Sequence, residues 1–161
     1  MASLVQGLKL KRLKRGEWEA DFQETLVEVR HEVAALGPIS RAQSISTLSL
    51  LDESGATDAA TIVAVIQAWN EVEGVIDVAA RDAGLQASTL PEKVRSLADK
   101  GLLAPSTVDA VSGLRVLRNL AVHAPQRLPP AKAREFVEMA RAVTYAMTMN
   151  LKQHAKSAQE Q

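Results

Sequence analysis

A chain of 161 residues without cysteine excludes a disulfide framework and a thiolate metal site, and it suits one domain with a core of its own. Nineteen basic residues balance nineteen acidic ones, so no overall field draws the protein to nucleic acid, and any such contact must rest on a local patch. Aromatic residues make up 3% of the chain, too few for a platform on which single-stranded bases stack.

In chain order, residues 1–16 form a basic segment. Lys9, Lys11, Arg12, Lys14 and Arg15 interleave with Leu8, Leu10 and Leu13, which suits a solvated arm or a collar touching anionic headgroups beside a membrane. Around Gly16, Leu8/Leu10 and Trp18/Ala20/Phe22 alternate with charges, the pattern of a short β-hairpin, in competition with a helix beginning near Trp18. Phe22, Leu26, Val29, Val33 and Leu36 predict a helix over 20–36, ended by Gly37-Pro38. Residues 39–53 place Ile45, Leu48 and Leu51 at helical spacing, but serines there compete with the helical backbone for hydrogen bonds.

The clearest helix spans 58–83. Ile62, Val65, Ile66, Trp69, Val72, Ile76, Ala79 and Ala83 hold one stripe, with Thr57 placed to cap its start and Gly84 its end. Thr89-Leu90-Pro91-Glu92 reads as a capping box opening a short helix to about Lys100, closed by Gly101. Ser106-Thr107-Val108-Asp109 resembles a second cap, before a helix over 107–123 whose core stripe is Val111, Leu114, Leu117 and Ala121. Pro125 and Pro129 interrupt the helix, and Pro130 suits the first turn of a last one, to about 153. Phe136, Val137, Ala140, Val143, Met147 and Leu151 face inward there, and the polar tail 156–161 is expected to fray.

These elements predict an all-α bundle of four to six helices forming a single domain over 17–155. No apolar run approaches the length of a membrane span, and the start of the chain lacks the apolar stretch of a signal peptide. The expectation is a cytoplasmic chain, membrane-associated only if a longer native chain carries the anchor.

The chemistry concentrates in Leu114–His123. Arg115, Asn119 and His123 lie four apart and so share one helical row, with Arg118 on an adjacent row. Arg118 and His123 are five residues apart, a rotation of about 500°, so their side chains diverge by about 140° and flank a groove. Cation, amide and imidazole side by side serve a phosphate-handling site, and they serve equally a buried polar network between helices. Glu73 lies four residues after Trp69, close to the buried stripe, and the arginines of the later helix are its natural partners if it is buried. His31 and His154 are the other histidines, and none has the spacing of a metal site. With neither a glycine-rich phosphate loop nor a serine-nucleophile elbow, no cofactor and no metal are expected.

Arg118-Asn119-Leu120-Ala121-Val122-His123 resembles the HEPN superfamily motif: an arginine, a polar residue, a short gap, then a histidine. The preceding helix, with Ala68-Trp69 and Glu73, is similar to the matching helix of a HEPN-like branch of bacterial domains of unknown function, a likeness covering about residues 55–150. The resemblance implies a helical bundle that dimerises with its motif helices near the interface. It also implies kinship with metal-independent ribonucleases of toxin and defence systems, some neutralised by an antitoxin partner. Carried across, His123 handles the proton of a ribose 2′-hydroxyl, Arg118 stabilises charge on the phosphate, and Asn119 orients the phosphate or the imidazole, with Arg115 and Glu73 in support. Pro125 departs from the pattern, because many active toxins carry an aromatic two residues after the histidine. That departure favours the other expectation, a non-catalytic protein-interaction and dimerisation module, the cytosolic part of a membrane-anchored protein.

Overall fold

A computed structural model describes residues 15–36 and 58–159 of the chain. Its described elements are α1 (Arg15–Ala34), α2 (Asp58–Asp82), α3 (Leu90–Asp99), α4 (Pro105–His123), a 3-10 turn (Pro125–Arg127) and α5 (Pro130–Gln159). Among the described residues there is no strand, so the fold is an all-α bundle. The pattern over 39–53 and the basic residues Lys9, Lys11, Arg12 and Lys14 lie outside the described residues.

The hairpin around Gly16 is corrected where it can be seen. Its second arm, Trp18 to Phe22, is the first turns of α1, which starts at Arg15. At i and i+4 the two rings stack on one helical face, with centroids 5.0 Å apart and planes at 18°. Both are buried, at 4% and 2% exposed. A two-residue alternation would have turned both rings to one face of a lone two-stranded ribbon, where a helix of 20 residues sets them into a core that also takes Leu26 and Val29.

The stripe of α2 packs mainly against α5, and also against α4 and α3. Val65, Trp69, Val72 and Ile76 are fully buried, while Ile62, Ile66 and Ala83 sit at the edge of the core. α4 is held between α1 on one side and α2 on the other, and α5 closes the bundle by touching all three. α3 bridges α2 and α4, with Lys93 Nζ 2.9 Å from Asp77 of α2.

Sequence signals locate most helix ends. Thr89 accepts from the Glu92 backbone N–H while the Glu92 carboxylate accepts from the Thr89 backbone, the reciprocal box that opens α3. Gly84 and Gly101 take left-handed backbone, with φ of 67° and 72°, and close α2 and α3. Pro130 begins α5. Two ends differ. α4 begins at Pro105 after Ala104, which offers no side-chain cap, and Thr107 is buried inside its first turn. Proline at the first position needs no acceptor, so it opens the helix without a serine or threonine cap. α5 runs on to Gln159, and from Lys152 onward its residues are exposed.

Candidate functional site

The arginine–asparagine–histidine row sits on the last two turns of α4. Leu114, Leu117, Leu120 and Ala121 face the core and fix the rotation of this helix. That rotation leaves Arg115 and His123 exposed, with Arg118 and Asn119 partly buried between them. Val122, on the same outer strip, is 39% exposed.

The end of α4 is fixed from outside the helix. The Leu120 carbonyl accepts the Ala124 N–H at 3.2 Å, and it also accepts Trp18 Nε1 of α1 at 3.1 Å. Trp18 thus holds the turn from which Asn119 and His123 project. Sequence reasoning gave Trp18 no such part. The signal that finds it is the Trp18/Phe22 spacing, which marks a buried helical face.

One contact organises the polar side chains. Arg118 Nη1 donates to Asn119 Oδ1 at 3.0 Å. The amide oxygen is therefore committed to the guanidinium, and the amide nitrogen is left to donate elsewhere. Arg118 Nε is buried and has no acceptor. A buried unsatisfied donor costs about 1–3 kcal/mol, and more when charged, so the orphan marks a place for an acceptor.

Neither Arg115 nor Arg118 pairs with a described carboxylate, and the His123 imidazole makes no hydrogen bond with a described residue. Ion pairs form elsewhere: Arg30 of α1 with Glu135 of α5, and Lys132 with the same Glu135 at 3.5 Å. Glu73 is partly exposed and has no ion pair with either arginine. A carboxylate that keeps its water needs no cation, and the structure brings Arg118 and Asn119 together without an ion pair from Glu73. Among the described residues no three histidines or carboxylates are placed to hold a metal ion.

The class that the fold defines is an all-helical bundle, whose α4 strip carries cations without an ion pair to any described carboxylate. A family model described as "Domain of unknown function (DUF4145)" matches residues 55–161, and the chain belongs to that family. No curated protein and no solved structure matches the chain. The match takes in α2 to α5 and the whole strip, while α1, which pins the end of α4, lies outside it.

Proposed function

We propose that this chain is a HEPN-like domain that binds RNA through the α4 strip and cleaves it without a metal ion. The observation that carries the reading is Arg118. Its guanidinium is held by Asn119 at 3.0 Å, its Nε is buried without an acceptor, and no described carboxylate neutralises it. A phosphodiester beside the partly exposed outer edge of the guanidinium supplies the missing charge.

In the reaction, the ribose 2′-oxygen attacks the adjacent phosphorus and the bond from phosphorus to the 5′-oxygen breaks. A 2′,3′-cyclic phosphate and a 5′-hydroxyl result. His123 takes the 2′-hydroxyl proton and passes it to solvent, water protonates the departing 5′-oxygen, and the exposure of His123 lets a flexible strand reach it. Arg118 faces the charge that builds on the phosphate oxygens. Asn119 acts through Arg118, as a positioning residue, and exposed Arg115 draws the neighbouring backbone phosphate.

The test is cleavage of diverse single-stranded RNAs in EDTA by the wild type, Arg118→Ala and His123→Ala. Losing the general acid–base group lowers the rate by about 10²–10⁴-fold. Inactive wild-type protein, or variants that cut as well as wild type, ends the ribonuclease reading.

A second reading, a protein-interaction and dimerisation module, is favoured by a different place: an open, mainly apolar groove of about 910 Å³ between α2 and α5. Cytoplasmic location, an antitoxin partner and proximity to a membrane belong with these proposals; no described helix is long and apolar enough to cross a membrane.

A further inference from the structure

We infer that the groove between the C-terminal halves of α2 and α5 receives an amphipathic helix of a different protein, one that carries a basic residue at each end of a three-turn apolar stripe. The inference rests on the interaction reading and gives it a partner chemistry. It is independent of whether the α4 strip cuts RNA.

The floor of the groove is apolar. Val75, Val78 and Ala79 of α2 line it together with Leu102 and with Leu151 of α5. Val78 is 51% exposed, a β-branched hydrophobe left in water on a helix whose other face is a dense core. Thr144 and Thr148 of α5 also line the groove, but their hydroxyls already donate to the Ala140 and Thr144 carbonyls, at 2.9 and 2.8 Å. Covering them therefore strands no donor. Tyr145 and Met149 are exposed on the same helix. They stand at i and i+4 to Lys152 at i+7, so they continue the α5 edge of the groove.

Shape selects a helix as the occupant. A small ligand is held by burying about 70–90% of its surface, which an open groove of about 910 Å³ does not do. An extended peptide needs a free sheet edge, and the two helices that form the walls offer none. An amphipathic helix buries one face in such a groove and keeps the other in water. Gly74, in the middle of α2, lines the groove where that helix would lie. A glycine inside a helix weakens it. Yet a Cβ at Gly74 meets nothing within 4 Å, and the backbone has no left-handed φ, so nothing within the described fold requires this glycine. Its bare backbone admits the close approach of a helix from another molecule.

Charge selects the kind of helix. Glu71, Gly74, Val78 and Asp82 follow one another at steps of three, four and four, so they share one face of α2. That face reads acidic, apolar, acidic, with its two carboxylates about 16 Å apart along the axis. Both acidic residues are exposed, and neither forms an ion pair with a described residue. A partner helix matches them with one cation at each end of its own apolar stripe. Lys152 stands on the α5 rim, where it repels a basic flank and so keeps the partner's basic side on the α2 rim.

The probe is an alanine-based helical peptide of about 15 residues, with a leucine stripe three turns long and a lysine at each end of that stripe. A twin peptide has glutamates in place of the lysines. Each is titrated with the full chain and followed by fluorescence anisotropy. The lysine peptide binds about tenfold tighter than its twin. Gly74→Gln, which adds neutral bulk, weakens the lysine peptide by at least about tenfold. Its helical content and thermal midpoint are retained, because the new side chain enters open space. Glu71→Lys combined with Asp82→Lys inverts the preference, so that the glutamate twin binds tighter. A lysine peptide that binds no better than its twin overturns the inference. So does binding that survives both Gly74→Gln and the double reversal. Sedimentation of the wild type alone, at tens of micromolar, separates the inference from the reading beneath it. A dimer that Gly74→Gln dissolves gives the groove to a second copy, which overturns the inference and leaves the interaction reading standing. Neither peptide binding nor self-association ends both. The RNA assay on Arg118→Ala and His123→Ala reads the α4 strip separately.

Discussion

Two glycines sit in the middle of long helices, and their surroundings are opposite. Gly113 of α4 faces α1, where an added Cβ overlaps Val29 Cγ2, so its missing side chain lets the two helices close on each other. Gly74 of α2 faces the α2/α5 groove, where an added Cβ meets nothing. The α1/α4 seam is closed, with Trp18 hydrogen-bonded to the end of α4 and Arg30 and Lys132 tying α1 and α5 across its edge to Glu135 and Gln23. The groove is open and mainly apolar. The same residue type thus reports a contact already made at one place and an unfilled surface at the other.

The largest expected effect is at Trp18, which anchors the closed seam. Trp18→Ala removes a 4% exposed ring stacked on Phe22, together with the donor to Leu120, and is expected to cost about 3–5 kcal/mol. Chemical denaturation measures the loss, and hydrogen exchange should show it greater in α1 than in α2. Equal loss in both helices would mean that α1 is integral to the core and not a helix laid on α4.

Next comes the glycine pair itself. Gly113→Ala is expected to destabilise by about 1–3 kcal/mol through overpacking against Val29. In a Val29→Ala background the same change should cost almost nothing, because the next nearest atom, Val29 Cβ, stands 3.6 Å from the new Cβ. A double-mutant cycle measures this coupling, and additivity would refute the close approach. Gly74→Ala should act in the opposite direction, stabilising the monomer by about 0.5–1 kcal/mol at submicromolar concentration. If it destabilises the monomer there, the groove is not the open space described.

The smallest effect is at the capping box of α3. Hydrogen bonds from the Thr89 backbone, the Thr89 side chain and Ser88 hold the Glu92 carboxyl below its ordinary range. A depressed folded pKa stabilises the native state at pH above the unfolded value, and the contribution is lost as pH falls through the folded one. Wild type should therefore exceed Glu92→Gln in thermal midpoint at neutral pH, and the gap should close in acid. A gap independent of pH would assign the effect to shape and not to charge.

Most of the helical frame was legible in the sequence. The stripe of α2, the capping box before α3, the glycines after α2 and α3 and the proline opening α5 are local signals, each with its cause inside a few residues. The same locality explains the misreading at Trp18. Alternation with charges over five residues fits a strand, and only the 20-residue helix shows that Trp18 and Phe22 share a face. The α4 row was legible as a row, because four-residue spacing is a property of the helix alone.

What each residue meets was not in the sequence. Spacing put Glu73 near the buried stripe, but in the bundle its side chain stays partly exposed and makes no ion pair with the α4 arginines. Spacing put Arg118 on a row adjacent to Asn119, and packing decided that its Nε is buried without an acceptor. The two glycines are alike as letters in helical segments. Their difference exists only where helices distant in the chain pass close to each other or fail to, because helix formation follows from neighbours along the chain while burial and contact follow from neighbours in space.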